Sequence, residues 1–368
     1  MRTLYHLGLH KTGSTSLQFF LQRNQQQLAR AGILFPPTTP QGLAHYHTDA
    51  LALSEQPRRT PELNDYMGHN ALAYRMINEA VPNFTFPAVH APMPDAQSAL
   101  TQIKTQAHVL KTKALVFCSE DLARASLMAP NVPARFADYF GTENVTLMAT
   151  LRRPDDAIAA WQTQRLRFGH PFGALHADPP EAWLGTIHIE YRAALEPWLR
   201  TFPKAKLCLL PYKKMRAQGG SIGSFKTLSG LELPQNLVPL PDTNPGLPHA
   251  LLEIARQSLT ALPRPAARAF LHYLEDATRR LNLPANSDVD LFAPATRDAL
   301  YRAFEDIHAW LCRITDTWPF FADFDDMRAP RPLPIIGATQ QILPALKKDA
   351  AHHLEDKKIL SFLENLSL

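Results

Sequence analysis

The chain has 368 residues, 45% of them apolar, which is enough to build a sizeable core. Charged residues make up 20% and the formal net charge is +4, a mild basicity that suits an anionic ligand and is too weak to point to nucleic acid. No run of about 18 apolar residues occurs, so no transmembrane helix is expected.

The opening MRTLYHLGLHKTG lacks the apolar core of a signal peptide. The three cysteines, Cys118, Cys208 and Cys312, are far apart among apolar neighbours, and read as buried free thiols. A reducing, cytoplasmic location is the expectation that follows.

In chain order, residues 2–8 read as a short strand. A polar, glycine-containing turn follows, then a helix over about 14–31 with Leu17, Phe20, Leu21 and Leu28 at helical spacing. Gly32 ends it, and 33–35 reads as a second short strand. Residues 36–65 read as loop with room for one helix. Helices are expected over 69–80 and 95–111, separated by the proline-rich stretch 82–94. The apolar runs 114–118, 144–151 and 206–210 have strand length, with helices over 134–140, 155–167 and 181–201 between and around them.

This alternation predicts an α/β fold: a P-loop-like parallel sheet of four or five strands flanked by helices. Beyond about 245 the pattern turns helical, over 248–262, 265–282 and 295–316, and predicts an added C-terminal helical region. The expected division is 1–245 as α/β core, 246–328 as helical region, and 329–368 as Pro-rich connector and terminal helix.

The sharpest signal is His6-Leu7-Gly8-Leu9-His10-Lys11-Thr12-Gly13-Ser14-Thr15-Ser16, between the first strand and the first helix. In an open α/β sheet the carboxyl end of a strand is where ligands bind. The following helix offers free N–H groups and a positive dipole end. Gly8 and Gly13 let backbone approach an anion, Ser14, Thr15 and Ser16 supply hydroxyls, and Lys11 supplies a point charge. A Walker A loop places its lysine directly after the second glycine; here Lys11 precedes Gly13.

GLHKTGSTSLQ resembles the 5′-phosphosulfate loop of the sulfotransferases that use 3′-phosphoadenosine 5′-phosphosulfate (PAPS), in particular their bacterial cytosolic branch. A second segment, Leu151-Arg152-Arg153-Pro154, follows a buried strand and resembles the start of that family's R-x-P-x5-S 3′-phosphate site. The family's serine falls on Ala160, a departure that Thr163, one helical turn on, is placed to offset. Cys118-Ser119-Glu120-Asp121-Leu122 resembles the family's SSE-x-L. Weaker likenesses run through Gly68-His69-Asn70, PYKKMRAQGG and Asn244-Pro245.

The resemblance implies PAPS as co-substrate, held by Lys11, Thr12, Gly13, Ser14, Thr15, Ser16, Arg152 and Thr163, with Lys11 at the leaving phosphate oxygen. In-line sulfuryl transfer needs positioning and charge, and no metal is called for. An acceptor hydroxyl needs a base: His69 and Glu120 are the candidates, with His45 and His47 next. The expected partner is a small-molecule or glycan acceptor, carbohydrate or glycolipid favoured. A nucleotide-dependent phosphotransferase and a non-catalytic nucleotide-binding relative stay open as alternatives.

Overall fold

A computed structural model describes residues 1–51, 63–90, 92–170, 173–240 and 246–368. Asn244, Pro245 and the middle of the 36–65 segment lie outside the described residues.

Five strands form one parallel sheet: β1 (Arg2–Leu7), β2 (Ile33–Leu34), β3 (Ala114–Ser119), β4 (Val145–Leu151) and β5 (Lys206–Pro211). Their order is β2-β3-β1-β4-β5. Tyr5 sits in register between Phe117 and Leu147, and His6 between Cys118 and Met148. The strands are short apolar runs because both faces of the sheet are covered, as parallel sheets require.

Successive side chains point to opposite faces. On one face Leu4, Val116, Cys118 and Met148 pack with Leu17, Phe20 and Leu21 of the helix Ser14–Arg23. On the other, Tyr5 stacks on Phe117 (centroids 5.4 Å apart) and meets Phe136, Trp198 and Phe202. Those three come from the helices Val132–Phe140 and Tyr191–Thr201 and the residue that caps the latter. All three cysteines are free and buried.

Several elements differ from the periodicity reading. The helix expected over 14–31 divides at Asn24, whose side-chain amide donates to the Phe20 carbonyl (2.9 Å) and to Val238 O (3.1 Å). A short polar side chain that bonds backbone competes with the helix ladder. The helix expected from 181 starts at Tyr191, after a left-handed Gly185. In the 329–344 stretch, read as connector, a helix Ile335–His353 begins directly after Pro334 and contains Pro344. Buried Ile342 and Leu346 flank that proline and hold the helix by packing.

The chain forms two compact units. The first comprises Met1–Arg153, Gly185–Thr243 and Ile307–Ala322, and contains the sheet. The second comprises Pro154–Leu184, Asn244–Asp306 and Asp323–Leu368. It holds the helices Pro154–Arg167, Leu252–Ala261, Arg264–Ala277 and Ile335–His353, and a two-stranded parallel pair, Val289–Asp290 with Leu333–Pro334. Its ionic centre is Arg297, 1% exposed, which bonds Asp290 and the Met327 carbonyl and lies 3.7 Å from Asp155. Among the described residues no helix is long and apolar enough to cross a membrane.

Candidate active site

The connection from β1 runs to β2 on one side of the sheet, and that from β4 runs to β5 on the other. Adjacent strands whose connections diverge leave a crevice at their carboxyl ends. Three of the segments singled out by sequence converge on this edge: the loop after β1, Glu120 after β3 and Arg152 after β4.

The loop is tightly made. The Gly8 N–H donates to Ser119 O at the end of β3 (2.8 Å), and a Cβ on Gly8 would stand 2.8 Å from the Glu120 Cα. Only glycine allows this approach. Thr12, 1% exposed, donates its hydroxyl to the Leu9 carbonyl (2.7 Å) and braces the turn. Lys11 adopts φ 60°, a left-handed conformation that costs a lysine on the order of 1–2 kcal/mol and concentrates at functional sites. Gly13, at φ 88°, caps the helix Ser14–Arg23 without a side-chain hydrogen bond.

Leu17 donates its N–H to Gly13 O (3.2 Å), so the N–H groups of Ser14, Thr15 and Ser16 have no acceptor within the helix. The Ser14 hydroxyl is buried and meets no hydrogen-bond partner among the described residues. A buried orphan donor beside unfilled N–H groups, with a lysine alongside, is a cradle that fits an anionic oxygen cluster such as a phosphate. Thr15 is exposed and Ser16 half-buried.

Glu120 precedes the helix Asp121–Met128. Burial raises its carboxyl well above the usual carboxylate range, and the charge of Asp121 adds to the rise; Lys11 and Arg124 oppose it. The close approach of Gly8 sets the loop that carries Lys11 against the Glu120 backbone.

Arg152 follows β4 as Tyr212 follows β5, and the strand register pairs Leu151 with Pro211. The Tyr191 hydroxyl donates to the Arg152 carbonyl (2.8 Å) and holds its backbone. Thr163 belongs to the second unit, in the helix Pro154–Arg167, where its hydroxyl donates to the Ala159 carbonyl at 3.1 Å. Its hydrogen is spent on its own helix, so a phosphate would have to compete for it.

His69 is 2% exposed, and both ring nitrogens are engaged by backbone. Nε2 donates to the Pro36 carbonyl (2.8 Å), and Nδ1 accepts from the Cys118 N–H (3.0 Å). Burial lowers its pKa to about 4. With its lone pair committed to β3, the ring ties the helix Gly68–Ala80 to the sheet and has no electron pair left to take a proton. His45 and His47 lie on the helix Pro40–Leu51, where His45 contacts Asp65 at 2.6 Å.

Tyr74 and Arg124 of this edge escaped the sequence reading; Asp121 and Tyr212 stand in segments that it quoted, Cys118-Ser119-Glu120-Asp121-Leu122 and PYKKMRAQGG, with no role assigned to either. Among the described residues no three His, Cys, Asp or Glu side chains gather as a metal-ligand group.

No family model matches the sequence, and no curated protein does. Among solved structures, the chain is similar to a sulfotransferase from Alicyclobacillus acidocaldarius, at 14% identity and a TM-score of 0.39, over 74% of this chain and 96% of that one.

Proposed function

We propose that the chain is a sulfotransferase that takes the sulfo group of PAPS and gives it to a hydroxyl or amine of a small-molecule or glycan acceptor. The observation that carries this reading is the loop 8–16. A glycine-entered helix N-terminus, an orphan buried Ser14 hydroxyl and Lys11 stand at the crevice between β1 and β4.

PAPS supplies the sulfo group and a phosphate that departs with the bridging oxygen. The helix N-terminus, Ser14, Thr15 and Ser16 receive the 5′-phosphate end, and Arg152 the 3′-phosphate. Lys11 holds positive charge where negative charge develops on the leaving oxygen, which stabilises the transition state more than the ground state. Glu120, as carboxylate, takes the acceptor's proton while the acceptor–sulfur bond forms and the sulfur–oxygen bond to phosphate breaks. Adenosine 3′,5′-bisphosphate leaves. Glu120 is favoured over His69 because Gly8 sets the loop of Lys11 against its backbone at the crevice, while the His69 lone pair is spent on Cys118.

Thermal denaturation with adenosine 3′,5′-bisphosphate, followed by turnover of labelled PAPS against an acceptor panel read by mass spectrometry, tests the reading. A ligand at 100 times its Kd stabilises by about 2.7 kcal/mol, a clear shift in melting temperature. Stabilisation by ATP with Mg²⁺ and none by the bisphosphate would replace this reading with a phosphotransferase. Binding of the bisphosphate with no sulfated product from any acceptor would leave a non-catalytic relative.

A further inference from the structure

Gln18 closes the segment GLHKTGSTSLQ, and Asn70 closes Gly68-His69-Asn70. Neither has a part in the chemistry above, and the fold brings them together. Gln18 Nε2 donates to Asn70 Oδ1 (2.6 Å) and to the Cys118 carbonyl (2.9 Å), with both side chains buried.

The sheet explains this clasp. β2 pairs with β3 only at Ile33 with Ala114 and Leu34 with Leu115. The Ala114 N–H donates to Gly32 O (3.0 Å); carried four residues on, the same ladder would give the Cys118 N–H to Pro36 O. Pro36 has no N–H to give back to β3, so the strand stops short of it. Side chains take over the outer edge. His69 stands between the Cys118 N–H and the Pro36 carbonyl, and Gln18 takes the Cys118 carbonyl. The next carbonyl, that of Ser119, accepts from the Gly8 N–H (2.8 Å) on the β1 side. The two carbonyls that precede Glu120 are thus held from opposite edges of β3, and both donors come from one stretch of chain. Gly8 opens that stretch and Gln18 closes it, with Lys11, Gly13 and Ser14 between them.

We propose that Gln18 is a positioning residue: with Gly8 it fixes the Glu120 backbone against the anion cradle, and so sets how the acceptor meets the sulfo group. The proposal rests on the sulfotransferase reading above. In-line transfer requires base, acceptor oxygen, sulfur and leaving oxygen to keep their spacing, and a misplacement of about 1 Å can cost on the order of 100-fold in rate. Gly8 holds the end of β3 on its inner side; Gln18 supplies the hold on the outer side, where β2 has ended. An amide suits this place because its two N–H hydrogens reach two acceptors without bringing a charge. Asn70, from the helix Gly68–Ala80, takes the second hydrogen and fixes the orientation of the amide. The cradle has its own braces, the Thr12 hydroxyl on Leu9 O and the Leu17 N–H on Gly13 O. Gln18 therefore bears on the rate and not on nucleotide affinity.

Gln18→Leu keeps the bulk and removes the donors. Turnover of PAPS with an acceptor from the panel, calorimetry with adenosine 3′,5′-bisphosphate and hydrogen exchange of the full chain read the effect, at a temperature where circular dichroism shows the variant folded. Turnover at saturating PAPS is expected to fall by at least about tenfold, while the KM for PAPS and the Kd for the bisphosphate stay within about twofold. Exchange in the peptide 114–122 is expected to quicken, because the outer edge of β3 has lost a bond. Asn70→Ala, which leaves the amide in place and removes its guide, is expected to show the same split with a smaller loss. If Gln18→Leu does not fold, Asn70→Ala decides by that split. A merely structural role would lower the melting temperature and leave turnover per folded molecule unchanged; that result overturns the proposal, as does an equal loss of nucleotide affinity. If the parent sulfates an acceptor and both variants keep its rate, the positioning role falls and the function stands. If the parent sulfates nothing on the panel, the function falls and the positioning role falls with it.

Discussion

The guanidinium carbon of Arg152 lies 3.7 Å from the centroid of the Tyr212 ring. The two residues are far apart in sequence and adjacent in space because the register of β4 and β5 pairs the residues just before them, Leu151 with Pro211. Stacking fixes the plane of the guanidinium, and a planar fork of N–H groups is the geometry that suits a phosphate.

Arg152→Ala should therefore weaken adenosine 3′,5′-bisphosphate by about 1.5–3 kcal/mol, the range for a charged hydrogen bond, and leave adenosine 5′-phosphate nearly unchanged. Arg152→Lys should lose most of the same affinity, since an ammonium neither stacks nor forks. Calorimetry with both nucleotides checks it: equal losses for the two would take Arg152 away from the 3′-phosphate.

Lys11→Ala should cut turnover by at least ~100-fold, about 3 kcal/mol of transition-state stabilisation. Alanine pays much the same left-handed penalty as lysine at φ 60°, so the melting temperature should hardly move. A loss of less than threefold on a verified acceptor would remove Lys11 from the leaving oxygen.

His69→Leu should cost about 2–4 kcal/mol of folding stability. It strands the Cys118 N–H and the Pro36 carbonyl, each left unmet at about 1–3 kcal/mol. Urea denaturation gives the number. A variant that folds as stably as the parent and yet loses turnover would make His69 a base after all.

Glu120→Gln should lower turnover by ~100-fold or more and stabilise the fold at alkaline pH. The Glu120 pKa is raised in the folded state, so the protein favours the protonated form and loses stability as pH rises through that range. Glutamine removes the penalty. In the parent, the rate should rise with pH over the same range, because the base must be ionised. A rate that is flat from pH 6 to 9 with chemistry limiting would assign the base elsewhere.

Stability should fall as pH drops from about 6.5 toward 4. Burial lowers His6, His69 and His188 to about 4 and His10 to about 3, with His188 and Arg124 adding to the drop at His10. These rings stay neutral when folded and take up protons when unfolded, so their contribution is present above the unfolded pKa and is lost below it. At pH 5 each accounts for roughly 2 kcal/mol. The raised carboxyls of Glu120 and Asp121 work the other way, leaving a net loss on the order of a few kcal/mol between pH 7 and 5. Denaturation midpoints at the two pH values check the sign, and a higher stability at pH 5 would mean that the rings are not held neutral.

The sheet and its loop were legible in the sequence because both are written locally. Runs such as ALVFC and VTLMATL are continuous apolar segments of strand length, and only a sheet covered on two faces buries them whole. The loop 8–16 shows its glycines, hydroxyls and lysine within one turn of chain, so the anion cradle proposed for it needs no partner from elsewhere. Tertiary structure decided what depended on distant partners. His69 reads as a free histidine at a helix start until β3 is seen to supply the Cys118 N–H that takes its lone pair. Tyr212 stands in the quoted segment PYKKMRAQGG without a role there, and Tyr74 carries no motif; strand register brings one to Arg152, and helix packing brings the other to Arg124. Hydrophobic period and turn chemistry are set by near neighbours along the chain. The destination of a lone pair, a guanidinium face or a buried carboxyl is set by which elements pack together, and only the folded chain determines that.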